Sequence, residues 1–166
     1  MGREKGPVTT AVRALRAAGI DFTEHPYRYE EKGGTAVSAR ELGVDEHAVV
    51  KTLVMEDEGK NPLVVLMHGD MTVSTRELAR TLGVRSVVPC TPETASRHTG
   101  YLVGGTSPFG TRRALPVYVE ESILDLPKIW INGGKRGFLV GLDPKAAAEA
   151  LSARPVRVGV AGHRGG

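Results

Sequence analysis

Two apolar runs constrain the fold more than any other feature of the chain: Val49-Val50-Lys51-Thr52-Leu53-Val54-Met55 and Pro62 to His68. The segment between them carries Asp57-Glu58-Gly59, turn chemistry that pairs the runs as an antiparallel hairpin. Both faces of the first run are apolar apart from Lys51 and Thr52, so this strand is expected inside a sheet with neighbours on both sides. At 166 residues with 40% hydrophobic content, the chain can bury one such core but not two sizeable ones.

Helix signals alternate with the strands. Thr9 or Thr10 caps a helix through Val12, Leu15 and Ala18 that stops at Gly19. Thr35 caps a short one through Val37, Ala39 and Leu42, and Ser74 or Thr75 caps another through Leu78 and Leu82. Thr91-Pro92-Glu93 and Asp143-Pro144 open two more. Phe22 to Tyr29 reads as an edge strand because Pro26 lacks an N–H. Arg85–Val88, Leu115–Val119 and Lys128–Asn132 read as strands, and Gly133 to Arg136 as a turn into Gly137–Leu142. Hairpins mixed with helices predict an α+β class: one compact domain over 8–158, with a curved, mixed or antiparallel sheet flanked by helices. Residues 1–7 and 159–166, rich in glycine and charge, are expected to be disordered tails.

Several function classes drop out. No run of eighteen apolar residues crosses a membrane, and the N-terminus has no secretory core, so a cytoplasmic protein is expected. One cysteine, Cys90, makes no internal disulfide and reads as a small hydrophobe at a strand end. The five histidines show no paired ligand spacing, so neither a metal nor another cofactor is expected. There is no Gly-x-Ser-x-Gly elbow either.

Three features can carry chemistry. Lys51 points into a buried layer whichever face its strand presents; burial is costly for an ammonium unless an anion meets it or the chain snorkels to water. The block Gly100-Tyr101-Leu102-Val103-Gly104-Gly105-Thr106-Ser107-Pro108-Phe109-Gly110 is either an ordinary glycine-rich turn or a loop whose backbone N–H groups converge on an oxyanion. Thr111-Arg112 after it departs from a nucleotide-binding P-loop. Asn132-Gly133-Gly134-Lys135-Arg136-Gly137 combines hairpin turn chemistry with a basic pair suited to phosphate. Residues 101–166 hold 9 basic against 5 acidic side chains, while residues 1–100 are nearly balanced; this bias fits a solvated basic face as well as an anionic ligand.

Taken in order, Lys51-Thr52-Leu53, the block from Ser96 to Gly110, Leu115-Pro116 and Gly133-Gly134-Lys135-Arg136-Gly137 resemble the bacterial YbaK family, the Cys-tRNA(Pro) deacylases of the prolyl-tRNA synthetase editing-domain group. The resemblance runs from about Thr10 to Leu151. It implies a trans-editing enzyme that removes cysteine from mischarged tRNA(Pro), with prolyl-tRNA synthetase as a possible partner, the substrate's own thiol attacking its ester. Lys51 is then placed at the 3′-terminal phosphate and ribose. Gly104, Gly105 and Ser107 hold the aminoacyl carbonyl. Tyr27, Thr52, Tyr101, Thr106, Pro108, Gly133, Gly134, Lys135 and Arg136 complete the substrate-binding set. The chain departs from the family pattern where Gly33-Gly34 replaces an aromatic before the second helix, and where Glu120 stands in place of an Asp. Two alternatives remain open: an alanyl-tRNA(Pro) deacylase using water, and a non-catalytic module that binds tRNA or a synthetase.

Overall fold

The computed structural model describes residues 6–162. The expected hairpin is there as β2 (Val49–Asp57) and β3 (Pro62–His68), paired antiparallel from Val50↔His68 to Glu56↔Pro62. Around it lie β1 (Thr23–Pro26), β4 (Met71–Val73), β5 (Val87–Pro89), β6 (Val117–Glu120), β7 (Ile129–Lys135), β8 (Phe138–Leu142), β9 (Arg154–Val156) and β10 (Gly159–Ala161). The helices are α1 (Thr10–Ala17), α2 (Gly34–Leu42), α3 (Thr75–Leu82), α4 (Pro92–Thr99) and α5 (Pro144–Leu151). The main sheet runs β1-β8-β7-β2-β3-β6-β9, with β5 also on β2; β4 and β10 form a separate ribbon. It is mixed: β2 with β7, β3 with β6 and β6 with β9 are parallel pairs. This is the α+β architecture the alternation of signals predicted.

Side-chain alternation splits the core cleanly. On one face Val50, Val64 and Leu66 pack with Val117, Val119, Ile131 and Val140 beneath α1. On the other, Met55, Leu63, Val65 and Met67 meet Leu78 and Ala79 of α3, and Val49 and Leu139 meet Ala39 of α2. Lys51 belongs to this second face, opposite Met67, and Thr52 to the first, opposite Leu66.

Four helices start as their sequences dictate: Thr9, Ser74, Thr91 and Asp143 each accept a backbone N–H from the first turn. The exception is α2. Gly33 occupies its cap position, and the Thr35 hydroxyl instead donates to Glu46 Oε2 at 2.7 Å and to the Gly69 carbonyl at 3.1 Å. A second correction concerns residues 133–136. Gly133 and Gly134 form a bulge inside β7, which runs on to Lys135, and of the four only Arg136 lies in the turn, with Gly137. The cause is Asn132, whose Oδ1 accepts from the N–H groups of Gly134 (2.7 Å) and Lys135 (3.1 Å).

The tail expected from Gly159 onward is ordered through Ala161. Gly159, Val160 and Ala161 pair with Val73, Thr72 and Met71. Gly6 likewise lies against the Phe138 ring. Residues 1–5 and 163–166 lie outside the described residues. Among the described residues no helix is long and apolar enough to cross a membrane.

Candidate functional site

The edge of β2 opposite β3 is shared by two strands that do not meet. β7 pairs only with Val49 and Val50, and β5 only with Met55 to Asp57. Between them a cleft of about 810 Å³ opens, with β2 as its floor. Thr35, Val37 and Ser38 of α2 form one wall, and Thr72, Val73 and Thr75 another. Pro89, Cys90 and Ala95 line the far end, by β5, and Tyr27, Tyr29, Gly104, Asn132 and Arg136 also line the cleft, the last two from the β7–β8 hairpin. The size suits a nucleoside carrying a small acyl group.

Lys51 is half-buried on that floor, and its ammonium donates to the Met71 carbonyl. It forms no ion pair among the described residues, although Glu46 and Asp70 are near enough to favour its charge. Burial is the larger influence and pulls its pKa below the ordinary lysine value. An ammonium desolvated in this way gains most from an incoming anion.

The turn at Gly69-Asp70, which leads into Met71, is strapped down. His47 Nδ1 meets both Asp70 oxygens at 2.9 and 3.1 Å, and the His47 and His68 rings stack with centroids 3.7 Å apart. His68 is fully buried; its Nδ1–H donates to the His47 carbonyl at 2.7 Å, so its Nε2 accepts from the Ser122 hydroxyl, also at 2.7 Å. That arrangement suits a neutral ring, and burial depresses its pKa. The sign follows: below about pH 6.5 the unfolded chain takes up a proton that folded His68 refuses, so acid destabilises the fold. Between pH 7.5 and 5.5 the melting temperature should drop by about 2–4 °C for each kcal/mol lost. His68→Gln should melt lower at pH 7.5 but with a shallower slope. Some slope persists because buried His98, beside Arg113, is depressed in the same direction.

The residues singled out by sequence divide in two. Tyr27, Lys51, Thr52, Gly104, Thr106 and Arg136 line the cleft. Gly105, Ser107, Tyr101, Pro108, Gly133, Gly134 and Lys135 do not, and each of the following has a structural partner instead. The Gly105 N–H is bonded to the Leu102 carbonyl at 2.8 Å, and a Cβ there would lie 2.7 Å from the Arg136 backbone nitrogen. Ser107 is fully buried, and its hydroxyl accepts from the Phe109 N–H. Tyr101 donates to the Phe109 carbonyl at 2.6 Å, and burial pushes its phenol up to about 12. A Cβ on Gly133 would strike the Phe138 ring. Gly134 and Lys135 give their N–H groups to Asn132. The glycine block is thus mostly a packed junction, not an open ring of donors.

Sequence reasoning passed over Tyr29 and Asn132. Asn132 Nδ2 donates to the Gly104 carbonyl at 3.1 Å, Arg136 Nε donates to the Val103 carbonyl at 2.8 Å, and the Arg136 guanidinium lies over the Tyr29 ring. Together they fasten the glycine loop to the β7–β8 hairpin beside the cleft. Asn132 sat within a motif whose Asn-Gly pair read simply as a turn.

Residues 30–150 match the family model described as the aminoacyl-tRNA editing domain. The chain belongs to that family. The match takes in Lys51, Thr52 and the whole glycine block, and leaves Tyr27 just outside. EbsC of Enterococcus faecalis, provisionally named a Cys-tRNA(Pro)/Cys-tRNA(Cys) deacylase, is 29% identical over 139 residues, covering 83% of this chain and 85% of EbsC. A proline–tRNA ligase of Brachyspira hyodysenteriae is 24% identical over 86 residues, 52% of this chain and 15% of the ligase. Among solved structures, one provisionally described as a trans-editing enzyme for prolyl-tRNA synthetase superposes with a TM-score of 0.79 at 25% identity, covering 92% of this chain and 98% of that one.

In this editing domain Cys90 lines the far end of the cleft with its thiol 3.9 Å from Glu56 Oε2. Burial and that carboxylate push the thiol up to about 11, so at neutral pH it is a protonated, weak nucleophile. Cys90→Ser should keep deacylation within about threefold of the parent, and iodoacetamide should alkylate Cys90 in the native protein more slowly than a free thiol of pKa about 8.5. Rapid alkylation with loss of activity would put the thiol back into the mechanism.

Proposed function

We propose that the protein is a trans-acting deacylase of mischarged tRNA, and that its substrate is cysteinyl-tRNA(Pro). The observation that carries the reading is Lys51: a half-buried ammonium without an ion-pair partner among the described residues, on the floor of a nucleoside-sized cleft in an editing domain. A 3′-terminal phosphate would pair it. The names of EbsC and of the trans-editing structure support the cysteine and proline assignments.

The cleft brings no serine–histidine pair together, and its own thiol is protonated, so the chemistry falls to the substrate. In the reaction proposed, the cysteinyl sulfur attacks its ester carbonyl. The bond to the ribose 3′-oxygen breaks, that oxygen takes up a proton, and a cyclic thioester leaves. The protein orients the ester and stabilises developing charge. Cysteine and proline are close in size, and an apolar pocket separates such groups by only about 1–3 kcal/mol, which gives a second sieve its purpose.

Release of amino acid from cysteinyl-, alanyl-, seryl- and prolyl-tRNA(Pro), in parallel with purified protein, tests this. Cysteine should leave fastest, by about tenfold or more over alanine. Serine released as fast as cysteine would exclude thiol attack; alanine released in place of cysteine would mean water as nucleophile. No release from any of the four would leave a binding module.

A further inference from the structure

The open stretch of β2 is chemically specific. The Val54 carbonyl accepts the Cys90 N–H at 3.0 Å, so the backbone polar groups of Val54 face the β5 edge. A residue's N–H and C=O point to one side of a strand and alternate along it, so those of Thr52 face the same edge. Val50, one step further back, takes part in the β7 pairing on that edge. Among the described residues no strand pairs with Lys51 to Val54 there, because β7 bulges away at Asn132–Lys135 and β5 begins pairing only at Met55. The Thr52 hydroxyl adds a second observation: its oxygen is buried and has no hydrogen-bond partner among the described residues. Buried backbone groups in folded proteins are nearly always paired. The Thr52 N–H and C=O therefore face the open edge without a partner strand, and the buried hydroxyl beside them also lacks a partner among the described residues.

We infer that the open edge at Thr52 reads the α-amino ester of the substrate: its N–H donates to the ester carbonyl oxygen and its C=O accepts from the α-ammonium. This rests on the deacylase reading and names the substrate class of that site, esters of amino acids with a free α-amino group. An N–H and a C=O side by side on one strand edge complement the carbonyl and amine of an α-amino acid as they would a neighbouring strand. Other partners for the α-ammonium are disfavoured. Glu30 and Glu31 also line the cleft, but both are exposed and Glu30 pairs with Arg40, so as solvated carboxylates they add little to binding of the α-ammonium. Lys51 carries the same charge and projects to the opposite face. Asp70 is held by His47, and Glu46 by Thr35. The carbonyl oxygen is also where negative charge develops during attack, a role the committed Gly105 N–H does not fill.

The experiment compares tRNA(Pro) acylated with cysteine and with 2-hydroxy-3-sulfanylpropanoate, in which a hydroxyl replaces the α-ammonium at nearly equal size. Each rate is divided by the uncatalysed breakdown of the same ester, since the ammonium also activates the ester by itself. Loss of a charge-assisted hydrogen bond should lower the normalised kcat/KM by about tenfold to a hundredfold. Thr52→Val, which removes the hydroxyl and keeps the backbone, should show the same ratio between the two esters. Equal normalised rates for the parent would overturn the inference while leaving the deacylase reading intact. A ratio that collapses in Thr52→Val would assign recognition to the hydroxyl and overturn the backbone assignment. Failure to cleave cysteinyl-tRNA itself would remove the deacylase reading, and this one with it.

Discussion

Lys51→Ala is expected to lower kcat/KM for cysteinyl-tRNA(Pro) by about a hundredfold or more while the protein stays folded. Both halves of that expectation follow from where the side chain lies. Its ammonium sits on the floor of the cleft with one backbone carbonyl, from Met71, as its hydrogen-bond partner. Burial already works against its charge. A phosphate arriving there restores a charge-assisted contact, and removing one preorganised charged or oxyanion-binding group typically costs a hundredfold to a thousandfold in rate. The fold loses less, because truncation removes the half-buried charge together with its desolvation cost and gives up a single hydrogen bond. Lys51→Arg should recover little: a planar, forked guanidinium does not occupy the place of a compact ammonium on this strand. Deacylation of mischarged tRNA and thermal melting, measured on the same preparations, decide the matter. Unchanged deacylation in Lys51→Ala would take the lysine out of the mechanism. Melting lowered by more than about 5 °C would make it a structural residue.

The sheet's central hairpin was legible because it rests on local information. An apolar run, a turn and a second apolar run dictate β2 and β3, and alternation within them already set Lys51 and Thr52 on opposite faces. The caps at Thr9, Ser74, Thr91 and Asp143 were legible for the same reason. What local patterns could not convey was the use of a residue by a distant one. Thr35 looked like a cap and instead ties Glu46 to Gly69. Gly105 looked like an anion-binding donor and Gly133-Gly134 like a hairpin turn, yet Cβ atoms on them would collide with residues far away in sequence or with a neighbouring strand. The strands β4, β9 and β10 are three residues each, too short for periodicity to register. The gap along β2 has no sequence signal at all. It arises where a bulge set by Asn132 turns β7 away before β5 arrives, a property of register between strands about eighty residues apart.

Glu120→Ala should be the most damaging single change outside the cleft. Its buried carboxylate accepts the N–H of Val158 at 2.8 Å and that of Gly159 at 3.0 Å. Those bonds fold the chain back after β9 so that β10 can pair with β4. Truncation leaves two backbone donors without their acceptor, and bonds to a charged group contribute about 1.5–3 kcal/mol each, so a loss of about 3 kcal/mol is expected. At this chain length that lowers the melting temperature by about 6–12 °C. Glu120→Asp keeps the charge but shortens the reach by one methylene and should fall between the two. The effect should also reach the cleft. β4 begins at Met71, whose carbonyl takes the Lys51 ammonium, so loosening the β10–β4 ribbon unsettles the partner of Lys51. Faster amide exchange at Thr72, Val160 and Ala161, together with a raised KM and a nearly unchanged kcat, would report that route. Melting unchanged from the parent would mean that the desolvation of the carboxylate already offsets its two bonds, and that β10 is held by the ribbon alone.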